Sequence, residues 1–584
     1  MASFLDKIKL PSSLDKRSVF DLSCDHVTTM NFFKGKISYI KEMVPKEKIS
    51  VGVESLVRVP ALQVPTFGRY SLVHRAFFVP MRTIFTEWNT FITNTFSLST
   101  GAIISQVPYI SNNTFVNNFV SNTLYANSTT STTARYDIVR TTGSATTKYI
   151  LTETGRYILD FFASCGIRFS WVTTDTTQIS ALPVLAVLKM MQDWYSNSQY
   201  ELPIEIDQFI MNNSTVKSGG DITKDLMNLV YSFAYTKCSQ YDQDYFTSAF
   251  SEPSGPSSDI SLEGEISFVP SDSEEAATTI DAGNVAVMSN TSNLSKLAIQ
   301  GLTHLSDFLK RYQLSGAKAI DRYLARFGVR LADEKLNRSV YLGSNKTPIQ
   351  IGEVLSTADT DGAAIGDYAG KGIAYGNNGK FSYSTDEFGY FIIYSQIIPK
   401  IGYVQGIDRT ALHLTPTDFF TGEFDGLGNQ AIARKELYSP FDGSKGWSFL
   451  DSTQASIFGY TPRYAEYKVG RDKLTGDYQF GSMNNGEDSW YSFRMFPDSN
   501  DTNTMPIYYK TASTTFVQTN SDESQYKRVF NNEGQSVDYF RCIFHFDVRD
   551  EAPMRQLFDN YEWENNGQEV SLQVNGTNLN GVTE

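Results

Sequence analysis

The residues best equipped for catalysis stand apart from one another in this chain. The five histidines, His26, His74, His304, His413 and His545, belong to no HExxH or HxH motif, so no pair of imidazoles is set at metal-ligand spacing. Cys24, Cys165, Cys238 and Cys542 form no CxxC, which argues against a zinc ribbon or a dithiol redox site; so few thiols in so long a chain read as reduced, intracellular residues. GDYAGKG, from Gly366, is one residue short of a phosphate-binding loop and has Gly372 where a magnesium-holding hydroxyl would stand. DGLGNQA, from Asp425, contains GxGxxA but follows no buried strand, so its glycines read as turn residues. DTDG at Asp359 lacks the later glutamate of a calcium loop, and there is no GxSxG and no Cys/His nucleophile pair. The sequence therefore assigns no catalytic residue, no metal ligand and no cofactor.

Recognition chemistry is better represented. In FGYTPRYAEYKVGRDKLTGD, Phe458 to Asp477, the tyrosines Tyr460, Tyr464 and Tyr467 are interleaved with Arg463 and Glu466, without a sustained helical or strand period. Tyrosine and arginine combine large contact area with a polar tip and are enriched where proteins meet. The stretch reads as a loop whose Tyr460, Arg463, Tyr464, Glu466 and Tyr467 dock at a contact between subunits, with a basic residue answering Glu466. A packed surface loop of a single domain is the plainer alternative.

The elements that would carry such a loop are mostly strands. Ile37–Val44 and Ile49–Val59 are β-like runs about a Pro-Lys-Glu-Lys turn and read as a hairpin. Tyr70–Pro80 is a third strand and Tyr390–Ile398 a buried one. In Ala181–Tyr195, Pro183 suits a first helical turn, and Val184, Val187, Leu188, Met191, Trp194 and Tyr195 share one face, as in a core helix under a sheet. Helical spacing returns over 297–325. Aromatic residues make up 14% of the chain, a mix that suits strands and loops over helical bundles.

Charge sorts the surfaces. The net charge is −14, so the chain is not built to grip nucleic acid along its whole length. Its first 50 residues are nonetheless net basic, and Lys7, Lys9, Lys16 and Arg17 are the candidates to face DNA. Trp88 to Ala134 carries no charge and is rich in Ser, Thr and Asn, which reads as an inserted surface loop or a polar meander. Residues 251–295 hold eight acidic groups and no Lys or Arg, as expected of a solvated insertion turned away from phosphate. No apolar run is long enough for a membrane helix or a signal peptide.

Several segments, in order, resemble the major capsid proteins of microviruses, above all the gokushovirus and alpavirus-like branch of these single-stranded DNA phages. They are FDLS-x-x-H (Phe20–Ser23 and His26), YDQDYFTSA (Tyr241–Ala249) followed by Pro253 and Pro256, FGV with YLG and TPI (Phe327–Val329, Tyr341–Gly343, Thr347–Ile349), QG-x-DR (Gln405–Arg409), KELY (Lys435–Tyr438) and FGY-x-x-RYAEY. The resemblance covers about two thirds of the chain and lapses over about 95–180. It implies a single domain, 1–584, built on an eight-stranded antiparallel jelly roll with long loop and helical insertions, at approximately 95–180 and 251–295. It implies a structural protein, not an enzyme, that self-assembles into a T=1 icosahedral shell around circular single-stranded DNA, in a virion assembled in the host cytoplasm. The implied partners are further copies of itself, the DNA with a small basic DNA-binding protein, other minor virion proteins and a host receptor, the acidic insertion rising as a surface protrusion. From residue types alone, a carbohydrate-binding or carbohydrate-hydrolysing β-sandwich remains an alternative; an outer-membrane barrel lacks the regular ten-residue alternation it would need.

Overall fold

The computed structural model describes chiefly residues 17–59, 66–97, 103–129, 137–195, 205–235, 337–352, 371–433 and 538–554, with the shorter pieces 244–249, 323–329 and 457–475 and a few internal gaps. Lys7, Lys9 and Lys16, the acidic segment 251–295 and nearly all of the helix expected at 297–325 lie outside the described residues.

The architecture is mainly β, with several antiparallel sheets and a set of helices. Among the described residues nine strands make the principal sheet: β1 Ser18–Asp21, β2 Cys24–Met30, β3 Lys36–Met43, β4 Lys48–Arg58, β5 Tyr70–Pro80, β6 Val340–Gly352, β7 Lys371–Ser384, β8 Gly389–Pro399 and β9 Phe540–Ala552. Their order is β1-β9-β4-β7-β6-β5-β8-β3, with β2 also paired to β9. The two ends of the chain thus meet in one sheet, β9 lying between the N-terminal strands β2 and β4. β6 is the corner: Val340–Ile349 pair with β5, while Gln350–Gly352 pair with β7. The sheet folds there into two layers. Val51, Val53 and Val57 of β4 and Phe540, Phe544, Phe546 and Val548 of β9 pack in one core with Leu72 and Phe78 of β5 and Phe391, Ile393 and Ile397 of β8.

Burial differs between the layers because, among the described residues, only one is covered on its far side. β9 alternates strictly, Phe540, Cys542, Phe544, Phe546 and Val548 inward and Arg541, Ile543, His545, Asp547 and Arg549 outward. β8 is buried at every position. Its Phe391 and Ile393 face the sandwich core, whereas Tyr390, Ile392 and Tyr394 face helices. A strand covered on both faces reads as a continuous apolar run, as Tyr390–Ile398 does.

The expected hairpin of the third and fourth strands does not form. Both are strands, but among the described residues β3 pairs only with β8, and β4 pairs with β9 and β7. Alternation specifies that a segment is a strand and which face is buried, not which strand it joins. The turn between them is instead tied to the β7–β8 connection by Lys46 N–H to Thr385 C=O (2.8 Å) and Thr385 N–H to Glu47 C=O (3.0 Å), so the chain crosses from one layer to the other.

The covering layer comes from the stretch between β5 and β6. It contains α1 Asn112–Ser121, α2 Glu153–Ser164, α3 Leu182–Trp194, α4 Glu205–Asn212 and α5 Thr223–Leu229, with a three-stranded meander of Ala126–Thr129, Ile138–Thr142 and Ala145–Leu151. The uncharged segment is therefore not an exposed loop. Phe115, Val116 and Phe119 of α1 recur at helical spacing and enter the main apolar cluster with Phe162 of α2, while the Asn and Ser residues between them meet water. α3 is buried all round, not on one face, over Leu182–Gln192. Even Lys189 is enclosed, its ammonium donating to Asp193 (3.0 Å) and Asp207 (2.8 Å).

Inside the sandwich, His74 of β5 stands opposite Ser395 of β8, its Nδ1 2.6 Å from the Ser395 hydroxyl, to which Ser38 of β3 also donates. Its ring meets Phe544 edge-on at 5.0 Å, and Nε2 has no partner among the described residues. Burial pushes the imidazole down to about 4, from 6.5. The unfolded chain then takes up a proton that the folded chain refuses, so stability falls as pH drops from 6.5 toward 4. The loss should reach about 3 kcal/mol. Urea unfolding of the unassembled chain from pH 7 to pH 4 should show this slope, and His74→Gln should flatten it. An equal slope in both proteins would refute the assignment.

Candidate subunit interface

The Tyr-rich loop rests on a small hairpin, Asn429–Ala433 antiparallel to Ile457–Pro462, and ends in the short turn Ala465–Tyr467. The structure divides its five candidate residues. Tyr464 is a core residue of its own chain, 2% exposed, in the left-handed region at φ 62°. Its hydroxyl accepts from Thr421 N–H (3.1 Å) and donates to Phe419 C=O (3.3 Å), and its own N–H donates to Gln430 Oε1 (3.0 Å). The Gln430 amide turns back to donate to Glu466 Oε2 (2.5 Å), and His413 Nε2 lies 3.7 Å from Oε1. Glu466 is thus answered within the chain. Tyr460 is half-buried on the hairpin, opposite Ala431. The Arg463 guanidinium lies over the rings of Phe424 (4.9 Å) and Tyr464 (5.3 Å). Tyr467 is 52% exposed.

Around Tyr467 the structure adds residues that sequence reasoning passed over. Phe419 and Phe420 are 53% and 56% exposed, and Leu414 projects farther still. Phe420 meets Tyr464 at 5.1 Å and Tyr467 at 6.4 Å, while His413 lies between Phe419 (5.4 Å) and Tyr467 (6.1 Å). The signal was present as two adjacent phenylalanines after the turn-forming TPTD, but a Phe pair is more often core than surface. Contiguous exposed aromatics of this kind mark interaction sites.

Beneath the loop lies a network of hydrogen bonds and ring contacts. Asp244–Phe246, the centre of YDQDYFTSA, inserts into it: Tyr403 donates to Asp244 Oδ2 (2.8 Å), Tyr245 to Glu436 Oε2 (3.1 Å), and the Phe246 ring packs on Tyr403 (4.8 Å) and under the Arg471 guanidinium (5.0 Å). Arg409, from QG-x-DR, holds Glu436 Oε1 (2.8 Å) and Ala431 C=O (3.0 Å). Three resembling segments distant in sequence, DYF, QG-x-DR and KELY, are thereby brought together. Burial, then the Glu436 carboxylate, pushes the Tyr245 phenol far above its ordinary value, so it remains a hydrogen-bond donor.

Of the DNA-facing candidates only Arg17 is described; it is exposed, just before β1. Among the described residues no three His, Cys, Asp or Glu side chains come together to hold a metal ion, and no helix is long and apolar enough to cross a membrane. Buried charge occurs elsewhere: the Lys41 ammonium of β3 donates to both Glu47 and Asp550, which are 1% and 3% exposed.

Capsid protein VP1 of Chlamydia phage 1 is 22% identical over 602 aligned residues, covering 94% of this chain and 96% of that protein. Capsid protein VP1 of Bdellovibrio phage phiMH2K is 29% identical over 167 residues, 28% of this chain and 30% of that protein. Both are microvirus proteins. The sequence model described as "Capsid protein (F protein)" matches residues 8–129 and 163–559, passing over most of the meander and nearly all of α2. Matched across most of its length, with the shared segments DYF, QG-x-DR and KELY locked into one platform, the chain belongs to the phage capsid protein (F protein) family.

Proposed function

We propose that this chain is the major shell protein of a microvirus, assembling with copies of itself into a T=1 icosahedral capsid around circular single-stranded DNA. The observation that carries the reading is the family match over most of the chain. The sandwich supports a jelly roll in particular. One layer runs β1/β2, β9, β4, β7 and the other β3, β8, β5, β6, so the first and last strands are neighbours in one layer and the third and eighth in the other. That interleaving is what two nested Greek keys produce. Shell building needs complementary surface on a rigid scaffold, repeated by symmetry. The exposed side of the loop, with Tyr460, Arg463 and Tyr467 beside Phe419 and Phe420, is suited to such a contact. Tyr464 and Glu466 act through the loop's shape.

The remaining partners follow from the same reading. Lys7, Lys9, Lys16 and Arg17 supply weak, salt-sensitive contact with the packaged DNA, and a small basic protein supplies further neutralisation. Other minor virion proteins complete the particle, which is assembled in the host cytoplasm. The segment 251–295, acidic and free of Lys and Arg, projects outward and meets the host receptor. Electron microscopy of the expressed chain should show closed particles of one size; monomers or small oligomers alone would sink the shell reading. Particles lacking 255–290 should still close but adsorb poorly to host cells, and normal adsorption would reduce that segment to a spacer.

A further inference from the structure

Among the described residues no helix covers the outward face of the layer containing β9, and its register carries an unusual pairing. Arg541 of β9 stands directly opposite Arg58 of β4. Both are exposed, and neither has an ion-pair partner among the described residues. Side chains directly opposite in an antiparallel sheet stand about 5 Å apart, and like charges so placed repel. On the other flank of Arg541 is Thr29, which is committed to Asp538 (2.6 Å); Asp538 in turn lies 3.6 Å from the Lys36 ammonium. The other charges that stand directly opposite one another on this face are of opposite sign, Asp25 with His545 (2.5 Å), Asp21 opposite Arg549 and Glu551 opposite Lys48, while Asp547 faces outward opposite Gly52. The arginine pair is the exception.

Next to it runs a row of apolar side chains in register across four strands: Val27, Ile543, Leu56 and Tyr375. Tyr375 is 71% exposed and Val27 72%. Tyr375 is opposite Leu56, two residues from Arg58 on the same face, so the phenol is a diagonal neighbour of the guanidinium. Two arginines that need an anion between them, beside an open aromatic ring, match a strand that offers phosphates and unpaired bases together. Duplex DNA would leave the ring without a base to stack on.

We propose that Arg58, Arg541 and Tyr375 form a binding surface for single-stranded nucleic acid, in which the two guanidiniums clamp one phosphate and the phenol stacks on an adjacent base. This deepens the shell reading, on which it rests for the source of the strand, and it turns this uncovered face toward the packaged genome. Arg17, by contrast, precedes Ser18, which pairs with Ala552 at the opposite end of β9.

The test uses the full-length unassembled chain and a short fluorescent oligothymidine, with anisotropy read from about 50 to about 200 mM NaCl. The double variant Arg58→Gln/Arg541→Gln should bind about tenfold more weakly and flatten the log–log salt slope by about one. Tyr375→Ala should weaken binding about tenfold and leave the slope unchanged. Arg549→Gln, on the same face but opposite Asp21, should change affinity less than twofold, which separates the clamp from general surface charge. Without DNA, Arg541→Gln alone should raise the thermal midpoint, because it removes the repulsion; a merely structural arginine would lower it. Unchanged affinity and slope in the double variant, or an equal loss in Arg549→Gln, overturn the proposal. Loss of particles with DNA affinity intact assigns the face to a second copy and overturns it as well. Particle formation by the double variant is scored separately, so closed shells with no DNA effect would refute this surface and leave the shell function standing.

Discussion

Truncating Tyr464 should unfold the loop platform, whereas truncating Arg463 and Tyr467 should stop assembly and leave the chain folded. Tyr464 is enclosed and bonded through its hydroxyl at both Phe419 and Thr421, so Tyr464→Ala leaves a cavity and two unmet backbone groups. The expected cost is about 3–5 kcal/mol, the range for a large buried aromatic. Tyr464→Phe keeps the ring and should cost only about 1 kcal/mol. Tyr467 is largely exposed and Arg463 lies over two rings at the surface, so Arg463→Ala/Tyr467→Ala should change chain stability by about 1 kcal/mol or less. Each contact recurs around a closed shell, so a small loss per contact is multiplied, and the yield of particles should fall at least about tenfold. Thermal melts of unassembled chain and sedimentation of assembled material separate the two effects. Particles at full yield from the double variant would remove the loop from the interface. A fully stable Tyr464→Ala would remove Tyr464 from the core.

The second large effect concerns the buried charges that join the ends of the chain. Lys41 of β3 bridges Glu47, in the turn before β4, and Asp550 near the end of β9, so one ammonium serves two enclosed carboxylates. Burial comes first among the causes that hold Glu47 above its ordinary value, with the Asp550 carboxyl adding to it and Lys41 opposing both. A carboxyl whose folded value is raised contributes its full stability below the unfolded value of 4.5, and that contribution is lost as pH rises through the folded value. Lys41→Met removes the opposing charge. It should cost about 3–5 kcal/mol near neutral pH, the usual penalty for stranding a buried charge, and less near pH 4, where Glu47, held above its ordinary value, is protonated. Adding Glu47→Gln should recover a large part of the loss. Chemical unfolding across this pH range decides the matter: a penalty that stays the same at all pH values, or one below about 1 kcal/mol, would show that the three groups are not coupled.

Much about this protein was legible in one dimension. Partial alternation marked β3 and β4 as strands, and the unbroken apolar run of Tyr390–Ile398 marked a buried one, because side-chain period and hydrophobicity are local properties. Pro183 and the helical spacing after it marked α3. The ordered segments from FDLS to RYAEY indicated the family, and the absence of clustered His, Cys and carboxylates in the sequence turned attention from catalysis to recognition. Tertiary structure decided the rest. β3 and β4 were read as partners but lie in different layers, since the partner of a strand is fixed by contacts hundreds of residues away. The uncharged stretch after Trp88 was read as a surface loop or meander, yet Phe115 and Phe119 bury it among Phe162, Phe169, Tyr125 and Trp171. Within the Tyr loop, five residues of similar promise were sorted by burial alone, Tyr464 going inward and Tyr467 outward. Arg58 and Arg541, 483 positions apart, became neighbours only when β9 inserted beside β4. A sequence records what each residue can offer. Which residue it meets follows from how buried faces and backbone hydrogen bonds are satisfied together across the chain.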